Sequence, residues 1–376
     1  MTEAKSRTAR GFAHRAEWPV LVAPNEPRSG ERPSRPLASV DALDPGQDLR
    51  ILRVHLGQIR SAAPVELSRH HLAEGSGASA VVINSGCANA ATGPRGSSNA
   101  NAMAASVAGA LGVEQSEVLV CSTGTIGPQL PMDRVIAGIT TAIRNADASA
   151  SGGSAAADAI RTTDSVIKEA TFHGEGWTIG GMAKGSGMVR PNMATMLAFI
   201  FTDAALPAVV LQPLLERACD RSFNATTVDG DTSTSDTLLL FATGEAGNMP
   251  VDCADDPRLG PFAEALDAVM IDLAQQVVRD GEGARKFIEI RVAGAQDDAA
   301  ARRIGLCIAN SPLVKTAIAG EDANWGRLAM AIGKAGEPIE PERIAIRVGT
   351  EGDASITPLH AEAGAPQCSD ADGDGH

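Results

Sequence analysis

The chain has 376 residues, of which 44% are hydrophobic and 21% charged, an ordinary balance for a globular protein. Its net charge of -14 argues against a general nucleic-acid-binding role, because phosphate backbones need a basic face. No apolar run approaches the roughly 18 residues of a membrane span, so we expect neither nucleic acid nor membrane as a partner.

The six cysteines are scattered, without the close pair that a zinc site or a redox motif uses. In a chain of this length that pattern predicts reduced, mostly buried thiols and a cytoplasmic setting. Residues 1–50 are rich in Pro, Arg and Gly, and we expect a poorly ordered lead-in with at most one short strand, at Pro19–Ala23.

The next part of the chain alternates short buried strands with helices. Apolar runs predict strands at Ser79–Asn84 and Val118–Cys121, and an Ala-rich stretch predicts a helix at Asn99–Leu111. Asp133 is expected to cap a helix that runs to Ile143. A linker at Ala148–Gly153 is expected to lead into a further helix, Ser154–Lys168.

The second half continues the alternation and ends in an acidic tail. The expected strands and helices are, in chain order, strand Leu197–Thr202, helix Pro207–Arg221, strand Leu238–Ala242, helix Leu259–Val278, strand Phe287–Val292, helix Asn324–Lys334 and strand Ile344–Val348. Interleaved strands and helices predict an α/β or α+β fold with layered sheets. The Gly- and Asp-rich tail, residues 352–376, is expected to be disordered.

The densest cluster of glycines, Gly180–Leu197, is predicted to be a loop that enters a strand. It matches neither common nucleotide motif. A P-loop ends in Gly-Lys-Ser/Thr, whereas the order here is Lys184, Gly185, Ser186. A dinucleotide fingerprint opens a helix, whereas this segment leads into a strand.

Thr195 lies at the end of that cluster and admits two interpretations. A threonine that opens a buried strand is usually a packed β-branched residue. It becomes a nucleophile if the chain is cut before it, because the new α-amine can serve as its base. An α-amine has a pKa of roughly 7.7–8, so it can accept the hydroxyl proton near neutral pH without a histidine.

The string MAKGSGMVRPNMATML, Met182–Leu197, resembles the ornithine acetyltransferase family, the glutamate N-acetyltransferases of the cyclic arginine pathway. Further blocks resemble the family in the same order along residues 60–349. They are NSGCANAATG from Asn84, STGTIGPQLPM from Ser122, TTDS from Thr162, SFNATTVDGDTSTSDT from Ser222, DGEGARKFI from Asp280 and NSPLVKTAIAGEDANWGR from Asn310.

This resemblance implies a self-cleaving enzyme. The chain would cut itself between Ala194 and Thr195, which gives an α chain, residues 51–194, and a β chain, residues 195–351. Thr195 would then carry acetyl from N-acetylornithine to glutamate by a two-step covalent exchange. The resemblance also implies a sandwich-like α/β fold, an α2β2 heterotetramer, and no metal or organic cofactor.

The resemblance further assigns roles to individual residues. Thr123 and Gly124 would supply the oxyanion hole, since a hydroxyl and a closely approaching backbone N–H can both donate there. Lys184 would hold a substrate carboxylate, and Glu282 would bind the cationic amino group of ornithine. Thr163 is favoured over Thr162 as a further substrate contact.

Three acids, Asp229, Asp231 and Asp236, are expected to be structural and to bond backbone amides, without a catalytic role. A metal there is an open alternative, although neighbouring hydroxyls can satisfy these acids without one. The assigned residues also have purely structural interpretations. Ser-Thr-Gly could form a turn, Lys184 could be a solvated loop lysine, and Glu282 could be an exposed acid in a turn.

The sequence also departs from the family pattern. Beyond Ile344–Val348 we expect the substrate-contacting asparagine and threonine of the family to be missing, and the usual threonine-rich stretch is replaced around Gly46–Arg60. Three hypotheses therefore stand. The first is a glutamate N-acetyltransferase. The second is a paralogue that acts on another amino acid or as an amidohydrolase, and the third is a non-catalytic partner subunit.

Overall fold

The computed structural model describes residues 20–23, 50–54, 61–74, 77–146, 149–189, 196–249, 251–349 and 359–360. The described strands are β1 Val20–Ala23, β2 Arg50–Val54, β3 Ala80–Cys87, β4 Val118–Thr125, β5 Lys168–His173, β6 Thr178–Lys184, β7 Leu197–Thr202, β8 Thr237–Ala242, β9 Ala345–Ile346 and β10 Leu359–His360. The described helices are α1 Ala63–Ala73, α2 Gly93–Leu111, α3 Met132–Arg144, α4 Ala150–Ala159, α5 Ala208–Arg221, α6 Gly260–Arg279, α7 Asp298–Ala309, α8 Pro312–Ala319 and α9 Trp325–Gly333. The chain divides into two compact units, residues 1–287 and 288–376.

The first unit contains two sheets. One has three parallel strands in the order β1-β3-β4, and the other has five strands in the order β2-β8-β7-β6-β5. In the larger sheet β7 and β8 are parallel and the other neighbours are antiparallel. Strands β3, β4, β7 and β8 are continuous apolar runs over most of their length because both of their faces are covered.

Alternate residues of these strands pack into different layers. One face of the small sheet packs on α2 and α3, with Val82, Val120, Met103, Val107, Val135 and Ile139 in that core. Its other face packs on the large sheet and α4, with Val81, Leu119, Phe199, Phe241, Ala157 and Ile160. The remaining face of the large sheet packs on α5 and α6, with Ile200, Leu240, Leu211, Leu215, Leu266 and Leu273. The unit is thus a helix–sheet–sheet–helix sandwich, which confirms the layered α/β fold with flanking helices.

The second unit, residues 288–376, has a small core of its own. Ile304, Ile308, Val314 and Ala331 are buried beneath α7, α8 and α9. Each of the three helices begins at a residue whose side chain accepts a backbone N–H of the first turn, namely Asp297, Ser311 and Asn324. The expected helix Asn324–Lys334 is confirmed.

Several predicted elements are confirmed and three are wrong. The strands expected at Ser79–Asn84 and Val118–Cys121 are present, and both extend further. The helix expected at Ser154–Lys168 ends at Ala159, because Asp164 accepts the backbone N–H of Thr162 and turns the chain, and Lys168 opens β5.

The other two errors are a strand and a cap. Phe287–Val292 forms no strand, since no described segment pairs with it. Asp133 lies inside the first turn of α3 and Pro131 occupies the cap position. The strand expected at Ile344–Val348 shrinks to β9, two residues that pair with β10.

The segment Gly180–Leu197 is not one loop. Its first five residues complete β6, and Leu197 begins β7, which pairs with β6 in the same sheet. The predicted α and β chains would therefore share this sheet. Most of the lead-in and of the acidic tail, together with residues 190–195, lies outside the described residues. Along the described part, none of the helices combines the length and the apolarity needed to cross a bilayer.

Candidate active site

One side of the site is the end of β4, where Thr123 and Gly124 lie. Thr123 is fully buried, and Gly124 pairs in parallel register with Gly86 of β3. Gly124 has φ +124°, and a Cβ built on it would lie 2.2 Å from the carbonyl carbon of Gly86. Only glycine fits where the two strands come this close.

Lys184, the last residue of β6, meets this end of β4. Its ammonium donates to Thr123 Oγ1 at 3.2 Å and to Thr162 Oγ1 at 2.8 Å. The side chain is buried, so the interpretation of Lys184 as a solvated loop lysine is wrong. Because an ammonium can only donate, Thr123 Oγ1 must accept this bond, and its own proton remains available to another acceptor.

The charge of Lys184 is set by several neighbours. Burial lowers the pKa of Lys184, and the nearby positive charge of Lys168 acts in the same direction. The carboxylates of Asp164 and Asp236 oppose this lowering, and the Asp164 Oδ2 atom lies 3.7 Å from the ammonium. The net result is a lysine whose pKa lies below its ordinary value.

Asp164 is the centre of a buried charge cluster. It accepts hydrogen bonds from the ammonium of Lys168 at 2.7 Å, from the Gly185 N–H at 2.6 Å and from the Thr162 N–H at 3.1 Å. Burial raises the pKa of Asp164, but Lys184, Lys168 and the Gly185 N–H outweigh it, so the pKa is lowered. Asp164 is therefore an ionised carboxylate at neutral pH.

Asp280 completes the cluster from the end of α6. It accepts from the ammonium of Lys168 at 2.6 Å and from the Ser165 N–H at 2.9 Å. Burial raises the pKa of Asp280, and the bonds from Lys168 and Ser165 more than reverse this, so that its pKa is also lowered. Two cations and two anions thus balance in this cluster, which we call the Asp164 cluster: Asp164, Lys168, Lys184 and Asp280.

Glu282 lies beside the segment that follows Lys184. Its backbone N–H donates to the carbonyl of Ser186 at 2.8 Å, and the Ser186 hydroxyl donates to the carbonyl of Asp280 at 2.6 Å. A Cβ on Gly187 would lie 2.5 Å from Glu282 Oε1, so glycine is needed for the carboxylate to lie there. The Glu282 side chain is otherwise exposed and can reach a ligand in solvent.

The two candidate threonines differ in their contacts. Thr162 accepts the bond from Lys184, whereas the exposed Thr163 has no hydrogen bond recorded among the described residues. Sequence favoured Thr163, and its contact with substrate stays a prediction.

Ala194 and Thr195 lie outside the described residues, but the position that follows them is well defined. The Met196 N–H donates to Asp236 Oδ1 at 3.1 Å, and the Met196 carbonyl accepts from the Thr237 N–H at 3.1 Å. Leu197 is the partner of Lys184 in the ladder between β6 and β7. Burial raises the pKa of Asp236 well above its ordinary value, against the Met196 N–H and Lys184.

Two of the three acids expected to bond backbone amides do so. Asp236 accepts from Met196, and Asp229 accepts from Val189 at 3.0 Å. Within the described ranges, no three His, Cys, Asp or Glu side chains are grouped so that they could hold a metal ion.

Sequence reasoning missed Asp164, Lys168 and Asp280. Asp164 and Asp280 stand in the TTDS and DGEGARKFI blocks, so the signal was present. The helix predicted over 154–168 hid the fact that Lys168 opens a strand with its side chain inside.

Comparisons with known proteins identify relatives of this chain. A family model described as the ArgJ family matches residues 56–371, which extends past the 60–349 expected from the sequence blocks. The "Arginine biosynthesis bifunctional protein ArgJ" of Rhizobium meliloti is 50% identical over 316 residues, 81% of this chain and 75% of that protein. The protein of the same name from Gloeobacter violaceus is 47% identical over 328 residues, 85% of this chain and 79% of that protein.

Among solved structures, ornithine acetyltransferase complexed with ornithine, from Mycobacterium tuberculosis, is 41% identical. The structural alignment covers 39% of this chain and 78% of that chain, with a TM-score of 0.37. The family match and the identity to curated relatives decide the assignment: the chain belongs to the ArgJ family.

Proposed function

We propose that this chain transfers acetyl from N-acetylornithine to glutamate through an ester on Thr195, after it cleaves itself between Ala194 and Thr195. Membership of the ArgJ family makes it an acyltransferase of arginine biosynthesis that acts on small amino-acid substrates. The observation that carries the residue roles is the 3.2 Å contact between Lys184 Nζ and Thr123 Oγ1. This contact connects β4, which carries the predicted oxyanion-hole residues, to β6. Strand β6 pairs with β7, the strand that follows Thr195.

Self-cleavage needs only the chain and one water molecule. The hydroxyl of Thr195 attacks the Ala194 carbonyl, the peptide C–N bond breaks, and the acyl group moves from nitrogen to oxygen. Water then hydrolyses the ester, which leaves a carboxylate on Ala194 and a free α-amine on Thr195. Leu197 is only two positions after Thr195, so their Cα atoms are at most about 7 Å apart along the chain.

Acyl transfer then proceeds in two steps. The α-amine of Thr195 accepts the hydroxyl proton while the oxygen attacks the acetyl carbonyl of N-acetylornithine. Ornithine leaves with that proton, and the acetyl group remains on Thr195 as an ester. The amine of glutamate attacks this ester, and acetylglutamate departs as the threonine hydroxyl is restored.

Thr123 and Gly124 support both tetrahedral intermediates in this proposal. The free proton of the Thr123 hydroxyl and the N–H of Gly124 are the two donors for the oxyanion. Both belong to β4, which pairs with β3 along its whole length, so they do not need to reorganise as negative charge develops. Donors held in this way stabilise charge more than water does.

Substrate recognition falls to the groups around Lys184. A buried ammonium attracts a carboxylate strongly, because few water molecules compete with it. The exposed carboxylate of Glu282 suits the cationic amine of ornithine, and Thr163 lies on the nearby segment before β5. We also place the enzyme in the cytoplasm as an α2β2 assembly, which mass photometry of the cleaved protein would check.

The decisive experiment compares wild type with Thr195→Ala. Wild type should run as two bands on a denaturing gel, with a fragment that begins Thr-Met-Leu-Ala, and should make acetylglutamate from N-acetylornithine only when glutamate is present. Thr195→Ala should stay one band and transfer nothing. Thr232→Ala, which changes an exposed threonine, should behave like wild type.

Three results would contradict parts of this proposal. An uncleaved wild type would remove the nucleophile. Loss of N-acetylornithine at the same rate without glutamate would make the enzyme an amidohydrolase. Cleavage without a covalent acetyl on the fragment that starts at Thr195 would indicate a non-catalytic subunit.

A further inference from the structure

Lys168 has no role in the proposed cleavage and acyl-transfer steps. It is fully buried, yet its ammonium is bonded to two different carboxylates, those of Asp164 and Asp280. Removing charges from water is unfavourable, and a set of apolar side chains would often be as stable there. A charged lysine at this place therefore calls for a reason other than stability.

The bonds of the Asp164 cluster connect three segments that are far apart in sequence. Asp164 and Ser165 belong to the segment before β5, Lys184 and Gly185 end β6, and Asp280 follows α6. Lys168 bonds the first segment to the third, since Asp164 and Asp280 are its two acceptors. Asp164 bonds the first segment to the second through the Gly185 N–H and the ammonium of Lys184.

Each of these segments carries one of the residues expected to contact substrate. Thr162 and Thr163 precede Asp164, Lys184 precedes Gly185, and Glu282 follows Asp280 by two residues. Ser186 fixes the second and third segments further, because its carbonyl and hydroxyl both bond residues 280–282. Movement of Lys168 would therefore loosen all three groups at once.

We propose that Lys168 is a positioning residue of the acyl-transfer site, whose ammonium clamps Asp164 and Asp280 and so fixes Thr162, Lys184 and Glu282 relative to one another. This inference rests on the proposed function, because it concerns the amino-acid substrates of the same site. Lys168 itself touches no reacting atom. It acts on binding and orientation, where a misplacement of about 1 Å can lower the rate by about 100-fold.

Lys168 also affects the charge state of Lys184. The charged groups that face Lys184 are Asp164 from the segment before β5, Lys168 from β5 and Asp236 from the residue before β8. Lys168 lowers the pKa of Lys184, and it shares the Asp164 carboxylate with it. Removal of the Lys168 charge should therefore raise the pKa of Lys184.

Lys168→Met tests the proposal, because methionine keeps an unbranched side chain and removes the charge. We expect self-cleavage to proceed as in wild type, and kcat/KM for acetyl transfer to fall by about 100-fold. The alkaline limb of its pH profile should move to higher pH, since Lys184 stays protonated longer. Lys334→Met, an exposed lysine of the second unit, should leave both unchanged.

Lys168→Arg covers the case in which Lys168→Met does not fold. It keeps the charge with altered geometry, so it should lower kcat/KM and leave the alkaline limb where wild type has it. A folded Lys168→Met with wild-type kcat/KM and pH profile would overturn the proposal. So would a loss of activity in Lys168→Arg that only followed its melting temperature.

The two proposals fail in distinguishable ways. Wild type that makes no acetylglutamate would refute the proposed function alone, and calorimetric titration with ornithine would then test Lys168 directly. We expect weaker ornithine binding by Lys168→Met than by Lys334→Met. Equal binding by the two variants would refute the positioning role.

Discussion

The two sides of the site are held by opposite means. The ends of β3 and β4, which carry Thr123 and Gly124, contain no charged residue and are fixed by strand pairing. The side around Lys184 is fixed by the four charges of the Asp164 cluster. The groups expected to do the chemistry therefore depend on close backbone packing, whereas the groups expected to bind substrate depend on charge balance and so on pH.

The largest effect is expected from Gly124→Ala, which attacks the backbone side. The added methyl would overlap the carbonyl carbon of Gly86 at 2.2 Å, and the φ of +124° is unfavourable for alanine. Neither strand can yield, because both pair along their length. We expect a loss of more than about 4 kcal/mol in the free energy of unfolding, measured by urea denaturation, and no acetyl transfer.

Gly127→Ala is the matched control for this substitution. Gly127 has φ +102°, but a Cβ there would meet nothing within 4 Å. Strain of the backbone alone should lower stability by about 1–3 kcal/mol and leave transfer measurable. Equal losses in the two variants would show that backbone strain, and not the approach of the two strands, makes glycine necessary at position 124.

Thr123→Val is expected to have the next largest effect. It keeps the shape of a buried side chain and removes the hydroxyl that accepts from Lys184. If this hydroxyl supplies one oxyanion donor, kcat for transfer should fall by about 10²–10³-fold, while self-cleavage should slow as well. Steady-state kinetics of acetylglutamate formation measures the first effect, and a time course of band separation on a gel measures the second.

Thr125→Val, two residues further along the same strand, should leave transfer as in wild type because its side chain is exposed. A normal kcat in Thr123→Val would remove Thr123 from the oxyanion hole. Gly124 would then be the only donor left from this strand.

The backbone side could be predicted in part, because the strand expected at Val118–Cys121 is present and lies directly before Thr123. The roles of Thr123 and Gly124 came from the family resemblance, since Ser-Thr-Gly alone favours a turn, whereas the structure continues β4 to Thr125. The sandwich of two sheets followed from the resemblance and from the alternation of strands and helices. Leu197–Thr202 is strongly apolar and β-branched or aromatic, and it is a strand as expected.

The charged side could not be predicted in the same way, because its contacts are distant in sequence. Lys168 and Asp280 are 112 residues apart, and Lys184 and Thr123 are 61 apart. Nothing in the local pattern around Lys168 distinguishes a buried charge from a solvated one. Its prediction as a helix end was wrong because strand pairing with β6 overrides the helix propensity of the Ala-rich stretch before it.

Asp164→Asn tests the charged side of the site. Its expected effect on the free energy of unfolding is of intermediate size and depends on pH. The pKa of Asp164 is lowered from its ordinary 3.8, because Lys184, Lys168 and the Gly185 N–H together outweigh burial. Its carboxylate therefore stabilises the fold fully above about pH 4, and this stabilisation disappears as the pH falls through the lowered value. Asparagine keeps the shape but not the charge, so we expect a loss of about 2 kcal/mol at pH 7.

The pH series provides the check on Asp164→Asn. The free energies of unfolding of wild type and variant should differ at pH 7 and converge as the pH falls below the lowered pKa of Asp164, since wild type then loses the same charge. Asp255→Asn, which changes an exposed acid, should follow wild type at every pH. A difference that persists unchanged into acid would assign the effect to packing and not to the carboxylate charge.

The smallest effect is expected from Arg343→Gln, which removes one partner of an exposed ion pair. Arg343 lies 3.2 Å from Glu340, and the two side chains are 77% and 69% exposed. Water and salt screen such a pair, so its loss should lower the free energy of unfolding by at most about 0.5 kcal/mol. The small difference should vanish in concentrated salt, whereas that of Asp164→Asn should persist because few ions reach a buried carboxylate. If Arg343→Gln lowered the free energy of unfolding as much as Asp164→Asn does, burial would not explain the stability that the Asp164 cluster provides. The contrast between the two sides of the site would then have to rest on geometry alone.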